Sequence, residues 1–272
     1  MLIALLLVEG CTPEPKYSRS GRLEAPDKLA IAHGLGRIGG FATTNSIEAL
    51  EANYKRGFRW FEVDLDTTAD GTLVCIHPSP GSLKQIGVLG SLSEITESDF
   101  LERRFAQRFH TQTFQQLVER LRDLPDMIVV TDSKQLDAKT LARLVSHIDA
   151  VDPALRARIV LQMYHREELP EILDMEARGG AFGGTIFTLY QTRISDADLL
   201  AFVEKSGLEW ITMPADRFRP SVAADLHRLG AKVFVHTLNK METIHRFLED
   251  GADGVYTDDQ PPASVSGSSV RD

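Results

Sequence analysis

Several carboxylates and one histidine follow each other closely in one short stretch of the chain, between Trp60 and His77. Along Trp60–Asp66 the residue types alternate, so Glu62, Asp64 and Asp66 share one face of a predicted strand. Carboxylates on one strand face repel each other, and the repulsion grows as they lose water. A cation placed among them relieves that cost, and all-oxygen ligands suit Mg²⁺ or Ca²⁺. Because a histidine follows closely, the stretch predicts metal-assisted hydrolysis.

Polar residues also end the other predicted strands. The apolar segment Leu29–Ala32 leads into His33, and Met127–Val130 leads into Asp132 and Lys134. The complete set of strand-end residues is His33, Glu62, Asp64, His77, Asp132, Lys134, Gln162, His236, Asn239 and Asp258. In a barrel of parallel strands, functional side chains lie at the carboxyl ends of the strands, so we expect this set to share one rim.

Strand and helix patterns alternate from Lys28 to the end of the chain, in about eight units. This repeat predicts an α/β protein, a single-domain (β/α)8 TIM barrel over residues 27–261. Asn45 and Glu48 have the spacing of a capping box, which predicts that Asn45 begins the first helix. Residues 78–112 are expected to form a longer irregular excursion of the kind that covers an active site.

The composition excludes some partners. With 43% hydrophobic residues, 25% charged residues and a net charge of −9, the chain of 272 residues is typical of a globular domain. An acidic protein without a basic stripe is not expected to bind nucleic acid. No apolar run approaches the roughly 20 residues that span a bilayer.

The first residues have a separate character. Met1–Val8 is apolar and is followed by Glu9-Gly10-Cys11, which resembles the lipobox of bacterial lipoproteins. This resemblance implies a membrane tether through Cys11 and a location in the cell envelope or periplasm. The alternative is an apolar leader without function on a cytoplasmic protein. Residues 1–26 are therefore predicted to be a leader and linker, and residues 262–272 a flexible tail.

Several short motifs occur in a fixed order along residues 28–261. They are Ile31-Ala32-His33, Asn45-Ser46, Glu62-Val63-Asp64, Asp70-Gly71-Thr72-Leu73-Val74 before His77, Asp132-Ser133-Lys134, His236-Thr237-Leu238-Asn239, and the segment from Gly251 to Asp258. On these motifs the chain resembles the glycerophosphodiester phosphodiesterases, metal-dependent TIM barrels of the phospholipase-C-like phosphodiesterase superfamily.

The resemblance implies roles for the strand-end residues. Glu62, Asp64 and Asp132 would hold one divalent cation, Mg²⁺ or Ca²⁺, and His33 and His77 would be the acid–base pair. A small-molecule or lipid phosphodiester would be the substrate. The remaining positions, expected to contact substrate, are Lys134, Arg37, Gln162, His236 and Asn239. Arg37 is included because the family has arginine directly after its first histidine, where this chain has Gly34.

Other interpretations stay open at this point. Glu62 and Asp64 could form a buried ion pair with Lys134 and bind no metal. Gln162 and His236 could fill the barrel mouth without contacting a substrate. The Asp-x-Lys strand end also looks like the phospholipase D and sphingomyelinase D branch of the superfamily, which would make the protein a lipid head-group hydrolase. A surface lipoprotein that binds a phosphate ester without catalysis is a further alternative.

Overall fold

The computed structural model describes residues 17–18 and 21–267, and at its centre eight parallel strands form a closed ring. The strands of the chain are, in order, β1 (Leu29–Ala32), β2 (Trp60–Thr67), β3 (Leu73–Cys75), β4 (Arg104–Phe105), β5 (Phe109–His110), β6 (Ile128–Ser133), β7 (Ile159–Met163), β8 (Gly184–Thr188), β9 (Trp210–Pro214), β10 (Lys232–His236) and β11 (Gly254–Thr257). The ring consists of β1, β2 and β6 to β11, and it closes because β1 pairs with both β2 and β11. The predicted (β/α)8 TIM barrel is confirmed.

Helices follow the barrel strands and cover the ring from outside, and two further short helices, the second and third of the described chain, lie in the excursion after β3. They are α1 (Ile47–Lys55), α2 (Pro80–Gln85), α3 (Glu97–Leu101), α4 (Phe114–Asp123), α5 (Ala138–Asp149), α6 (Glu168–Gly179), α7 (Asp196–Ser206), α8 (Pro220–Arg228), α9 (Met241–Glu249) and α10 (Pro262–Ser266). Short 3-10 turns occupy His33–Leu35, Leu92–Glu94 and Pro153–Arg158. Within the described part of the chain, none of these helices has the length and apolar character needed to cross a membrane.

The alternation along the strands separates two apolar layers. On β2, Phe61, Val63 and Leu65 point outward into the large cluster beneath the helices, whereas Trp60 points into the ring. Trp60 meets Trp210 there, with ring centroids 5.6 Å apart. The inward face of β2 therefore changes along the strand from an apolar plug to the carboxylates Glu62 and Asp64, which puts these charges at the carboxyl end of the barrel.

The excursion between β3 and α4 has more regular structure than the pattern predicts. It contains α2, α3 and the β4–β5 hairpin, and it has an apolar cluster of its own around Phe100, Phe105 and Phe109. Because this cluster supplies the burial that a loop lacks, the segment holds a defined shape beside the barrel mouth.

Both ends of the described chain pack against the barrel. Tyr17 is buried and donates its backbone N–H to Ser206, and Leu23 donates to the carbonyl of Gly183 at 2.9 Å. These contacts begin before the predicted boundary at residue 27. At the other end, residues 262–266 of the predicted tail form α10, where Val265 is buried. Cys11, the predicted lipid attachment point, lies outside the described residues.

Candidate active site

Three carboxylates meet at the carboxyl ends of two adjacent strands. The parallel register of β2 and β6 places Asp64 directly beside Asp132, and Glu62 lies two residues earlier on the same face. One oxygen from each of the three side chains lies within 4.8 Å of the others, and all three residues are buried. Ligands on opposite sides of a Mg²⁺ or Ca²⁺ ion lie about 4–5 Å apart, so the spacing suits one such cation.

Two of the three carboxylates have a raised pKa, and one carboxylate oxygen has no hydrogen-bond partner among the described residues. Burial, and then the charge of Asp64, raise the pKa of Glu62 to about 8, and burial and the charge of Asp132 raise the pKa of Asp64. The Oε2 atom of Glu62 accepts the N–H of Gly34 at 2.7 Å, but Oε1 is buried without a hydrogen-bond partner in the described structure. A buried carboxylate oxygen without a donor is costly, and a cation would satisfy it. The residues therefore fit a divalent cation.

The loop between β1 and α1 supports two of these carboxylates. Asn45 donates its side-chain N–H to Asp64 Oδ2 at 2.9 Å, and its Oδ1 accepts the backbone N–H of the same residue at 3.1 Å. The prediction that Asn45 caps α1 is wrong: Ser46 is the cap and accepts from Ala49. Asn45 is occupied instead by Asp64, a contact between distant residues that a local capping pattern does not contain.

Gly34 occupies a place in the loop after His33 where a side chain would not fit. Its φ of +54° lies in the left-handed region, and a Cβ there would lie 2.5 Å from the Cα of Thr43. A side chain at this position would displace the loop and, with it, the N–H that holds Glu62.

His33 is oriented by a carboxylate of the last strand. Its Nδ1 lies 2.9 Å from Asp258 Oδ1, and Asp258 is held in turn by the side-chain N–H of Asn239 at 2.6 Å. Burial alone would lower the pKa of His33, but the hydrogen bond to Asp258 and the charges of Glu62, Asp64 and Asp258 raise it to about 9. The Nδ1 proton of His33 is thus held by Asp258, and Nε2 is the ring nitrogen that can exchange a proton with another group.

His77 presents the opposite arrangement of ring nitrogens. It follows the β2–β3 hairpin, and its Nδ1 accepts the backbone N–H of Ser79 at 3.2 Å. A neutral imidazole that accepts at Nδ1 carries its proton on Nε2. The two histidines that line the cavity thus use Nδ1 in opposite ways, as a donor to Asp258 in His33 and as an acceptor in His77, so their neutral forms would be opposite tautomers.

Lys134 is the cation nearest to the carboxylates. Its Nζ donates to Asp132 Oδ2 at 2.5 Å and lies 3.9 Å from Asp64 Oδ1. Of the ion pairs expected as a metal-free alternative, the one between Lys134 and Asp64 is therefore present, but in the described structure Lys134 forms none with Glu62, whose Oε1 stays unpartnered. The hydroxyl of Tyr164 completes the contacts of Asp132 by donating to Oδ1 at 2.7 Å.

The carboxylates, both histidines and Lys134 line a cavity of about 440 Å³ at the barrel mouth. The opposite wall, from β8 to β10, has an uncharged lining that includes Thr188, Tyr190, Pro214 and His236. Burial and the nearby charge of His33 lower the pKa of His236 to about 4, so its imidazole is neutral. Its ring packs edge-on against Tyr190, with centroids 5.7 Å apart.

The structure brings together the residues proposed as catalytic and metal-binding. His33, His77, Glu62, Asp64, Asp132, Lys134, Gln162 and His236 all line the cavity. Arg37 and Asn239 contact Asp258 instead, and Arg37 pairs with Asp259 at 2.5 Å. Direct contact of these two residues with a substrate stays a prediction.

Three supporting residues were not among the predicted site residues: Asn45, Tyr164 and Asp258. Asp258 has a visible signal, because it ends the last predicted strand. Tyr164 has none, because it follows Met163 and continues an apolar pattern.

The chain is similar to one protein family over most of its length. The model of the Glycerophosphoryl diester phosphodiesterase family matches residues 38–260. The "Probable glycerophosphodiester phosphodiesterase 2" of Mycobacterium tuberculosis is 24% identical over 263 residues, which cover 92% of this chain and 92% of the relative.

Solved structures show the same fold. A phosphodiesterase of Oleispira antarctica in complex with the product sn-glycerol-3-phosphate has a TM-score of 0.71 at 17% identity, with 88% of this chain and 96% of that chain covered. A glycerophosphoryl diester phosphodiesterase of Parabacteroides distasonis has a TM-score of 0.68 at 18% identity, with coverages of 91% and 88%.

Proposed function

Because the chain belongs to the Glycerophosphoryl diester phosphodiesterase family, and so is a phosphoric diester hydrolase, we propose that it cleaves glycerophosphodiesters with one divalent cation and two histidines. The observation that carries this proposal is the cavity where a buried triad of carboxylates lies beside two histidines, one donating at Nδ1 to Asp258 and the other accepting at Nδ1 from Ser79. Binding alone would require the positive groups but no pair of proton-transfer residues.

In this proposal the two histidines divide the proton transfers. His33 accepts the proton of the attacking hydroxyl at Nε2, because its Nδ1–H is held by Asp258. His77 donates its Nε2 proton to the oxygen of the departing alcohol, because its Nδ1 accepts from Ser79. The attacking hydroxyl belongs either to water or to a neighbouring carbon of the substrate, in which case the first product is a cyclic phosphate.

Glu62, Asp64 and Asp132 would hold the cation. When bound, it would neutralise charge on the phosphoryl oxygens and offset the carboxylates that keep His33 protonated. Lys134 lies beside the same carboxylates and would contact a phosphoryl oxygen. The uncharged wall around Thr188 and His236 would receive one alcohol portion of the diester.

The test is hydrolysis of glycerophosphodiesters and bis-p-nitrophenyl phosphate with Mg²⁺, with Ca²⁺ and with EDTA. We expect activity that needs metal and that falls at least about 10²-fold in His33→Ala and in Glu62→Ala. His165→Ala, which changes an exposed histidine outside the cavity, is the matched control and should keep full activity.

Other outcomes separate the alternatives. Metal binding without turnover of either substrate would favour a phospholipase D-like enzyme and call for phospholipid substrates. The absence of both turnover and metal binding would contradict the catalytic proposal and favour a phosphate-ester-binding protein. Phosphorus NMR of the products would distinguish a cyclic phosphate from direct hydrolysis.

A further inference from the structure

Asp132 is held differently from the other two carboxylates of the triad. Glu62 and Asp64 are held by the β1–α1 loop, through Gly34 and Asn45. Asp132 instead has both of its oxygens engaged by side chains of the barrel mouth: Tyr164 donates to Oδ1 at 2.7 Å and Lys134 donates to Oδ2 at 2.5 Å.

The three side chains form a closed ring of hydrogen bonds. Lys134 Nζ also lies 2.9 Å from the hydroxyl of Tyr164, so the hydroxyl accepts from the ammonium and donates to the carboxylate. Tyr164 is 1% exposed, and its backbone N–H donates to Glu168 Oε2 at 2.7 Å. The phenol is therefore a fixed point, whereas Lys134 is a flexible side chain that is partly exposed.

We propose that Tyr164 is a positioning residue that fixes Asp132 as a ligand of the divalent cation and keeps Lys134 beside it. Without the hydroxyl, Lys134 would be the one side-chain donor left to Asp132 among the described residues, and the carboxylate would follow the lysine side chain. Aspartate is one methylene shorter than glutamate, so its carboxylate has less reach to recover the ligand position. Hydrogen bonds to a ligating carboxylate orient it, and their loss costs metal affinity.

The proposal rests on the metal site of the proposed function, but it is testable without substrate. The experiment is isothermal titration of the metal-free full chain with Mg²⁺, Ca²⁺ and Mn²⁺, for wild type and Tyr164→Phe. We expect the variant to bind metal about 10–100-fold more weakly. The matched control is Tyr256→Phe, which removes a buried hydroxyl from the same barrel mouth where it donates to neutral Gln162 at 3.1 Å. It should keep the wild-type affinity.

Kinetics provide a second readout that a merely structural loss would not give. Because saturating metal returns Asp132 to its place, kcat of Tyr164→Phe should stay within about threefold of wild type. The metal concentration needed for activity should rise. The KM for the diester should also rise, because Lys134 is no longer held beside Asp132. Thermal midpoints in EDTA establish that both variants are folded.

Two results would overturn the proposal: metal affinity of Tyr164→Phe within twofold of wild type, or an equal loss in Tyr256→Phe. A wild-type protein that binds metal but cleaves no diester would contradict the proposed function and leave this test intact.

Discussion

In the proposed mechanism, a single side chain, Asp258, would set the direction of proton transfer. Its carboxylate binds the Nδ1–H of His33, and the charge of that residue lowers the pKa of Asp258 despite its burial. Asp258 is placed like the carboxylate of a hydrolytic triad, which accepts the Nδ1–H of the histidine and orients its ring. The proposed role of His33 as base would therefore depend on a residue at the end of another strand.

The substitution Asp258→Asn tests whether this carboxylate orients His33. The amide keeps the size of the side chain but removes the charge and can present N–H to Nδ1, which favours the wrong tautomer of His33. We expect kcat/KM for glycerophosphodiesters to fall about 10²–10⁴-fold with metal affinity unchanged, measured by steady-state kinetics and calorimetry.

Asp259→Asn is the control for Asp258→Asn, because Asp259 pairs with Arg37 on the same loop without contacting His33. It should remain active to within about twofold. Equal losses in the two variants would contradict the orienting role of Asp258.

Sequence reasoning reaches the site unevenly at the scale of residues. Glu62, Asp64 and Asp132 were predictable because strand alternation and strand ends are local patterns. The contacts of Asn45 with Asp64 and of Tyr164 with Asp132 were not, because each depends on the register between elements far apart in the chain. The residue types were enough to predict the kind of chemistry, but the hydrogen-bond partners of these residues could be identified only from the fold.

At the scale of elements, the described residues before β1, 17–18 and 21–28, form a strap across the amino-terminal end of the barrel. Arg22 makes a two-fold contact with Glu176 of α6, at 2.8 Å and 2.7 Å, and both side chains are more than nine-tenths buried. The guanidinium also stacks on Tyr17, with its carbon 3.7 Å from the ring centroid. This strap lies at the end opposite the active site, so its contacts concern stability.

Arg22→Ala tests that separation of roles. Removing one member of a buried ion pair strands the other, so we expect a loss of about 3–5 kcal/mol in the free energy of unfolding. Denaturant unfolding measures this loss, and kcat/KM should be unchanged at a temperature where the variant is folded.

The matched change is Arg178→Ala, which removes an exposed pair with Asp174 in the same helix. It should cost at most about 1 kcal/mol. A comparable loss in both variants, or reduced turnover in folded Arg22→Ala, would contradict the strap's purely structural role.

The repeat of strands and helices was predictable from periodicity. The segments that periodicity did not predict have a common cause. The excursion after His77 lacks a long periodic run, yet small helices and a hairpin form there because Phe100, Phe105 and Phe109 bury one another. Likewise, the residues near Tyr17 and Val265 read as polar tails, and packing against the barrel orders them. Tertiary burial decides these segments, and no local pattern contains it.

For the whole molecule, the site makes the stability of the metal-free protein depend on pH. The pKa of Glu62 is raised from 4.5 to about 8, so folding favours its protonated form, and that contribution is lost as pH rises toward 8. The pKa of His33 is raised from 6.5 to about 9, so its contribution is present below 6.5 and is lost as pH rises through 9. Both effects have the same sign.

We therefore expect the thermal midpoint in EDTA to fall by several degrees between about pH 5 and pH 9. Differential scanning calorimetry measures it. Glu62→Gln, whose amide is neutral at every pH, should show a shallower fall. Added Mg²⁺ should stabilise the wild type more as pH rises, because the ion binds ionised carboxylates. A midpoint that rises over this range in EDTA would contradict the assignment.

The closure of the ring between β1 and β11 has a consequence for synthesis. His33 leaves the ribosome early and Asp258 leaves it 225 residues later, and only the last strand brings the two together. A nascent chain that has already displayed all three carboxylates still lacks the group that orients its base. If His33 is the base, hydrolytic competence would therefore arrive with the final strand, when the barrel is complete.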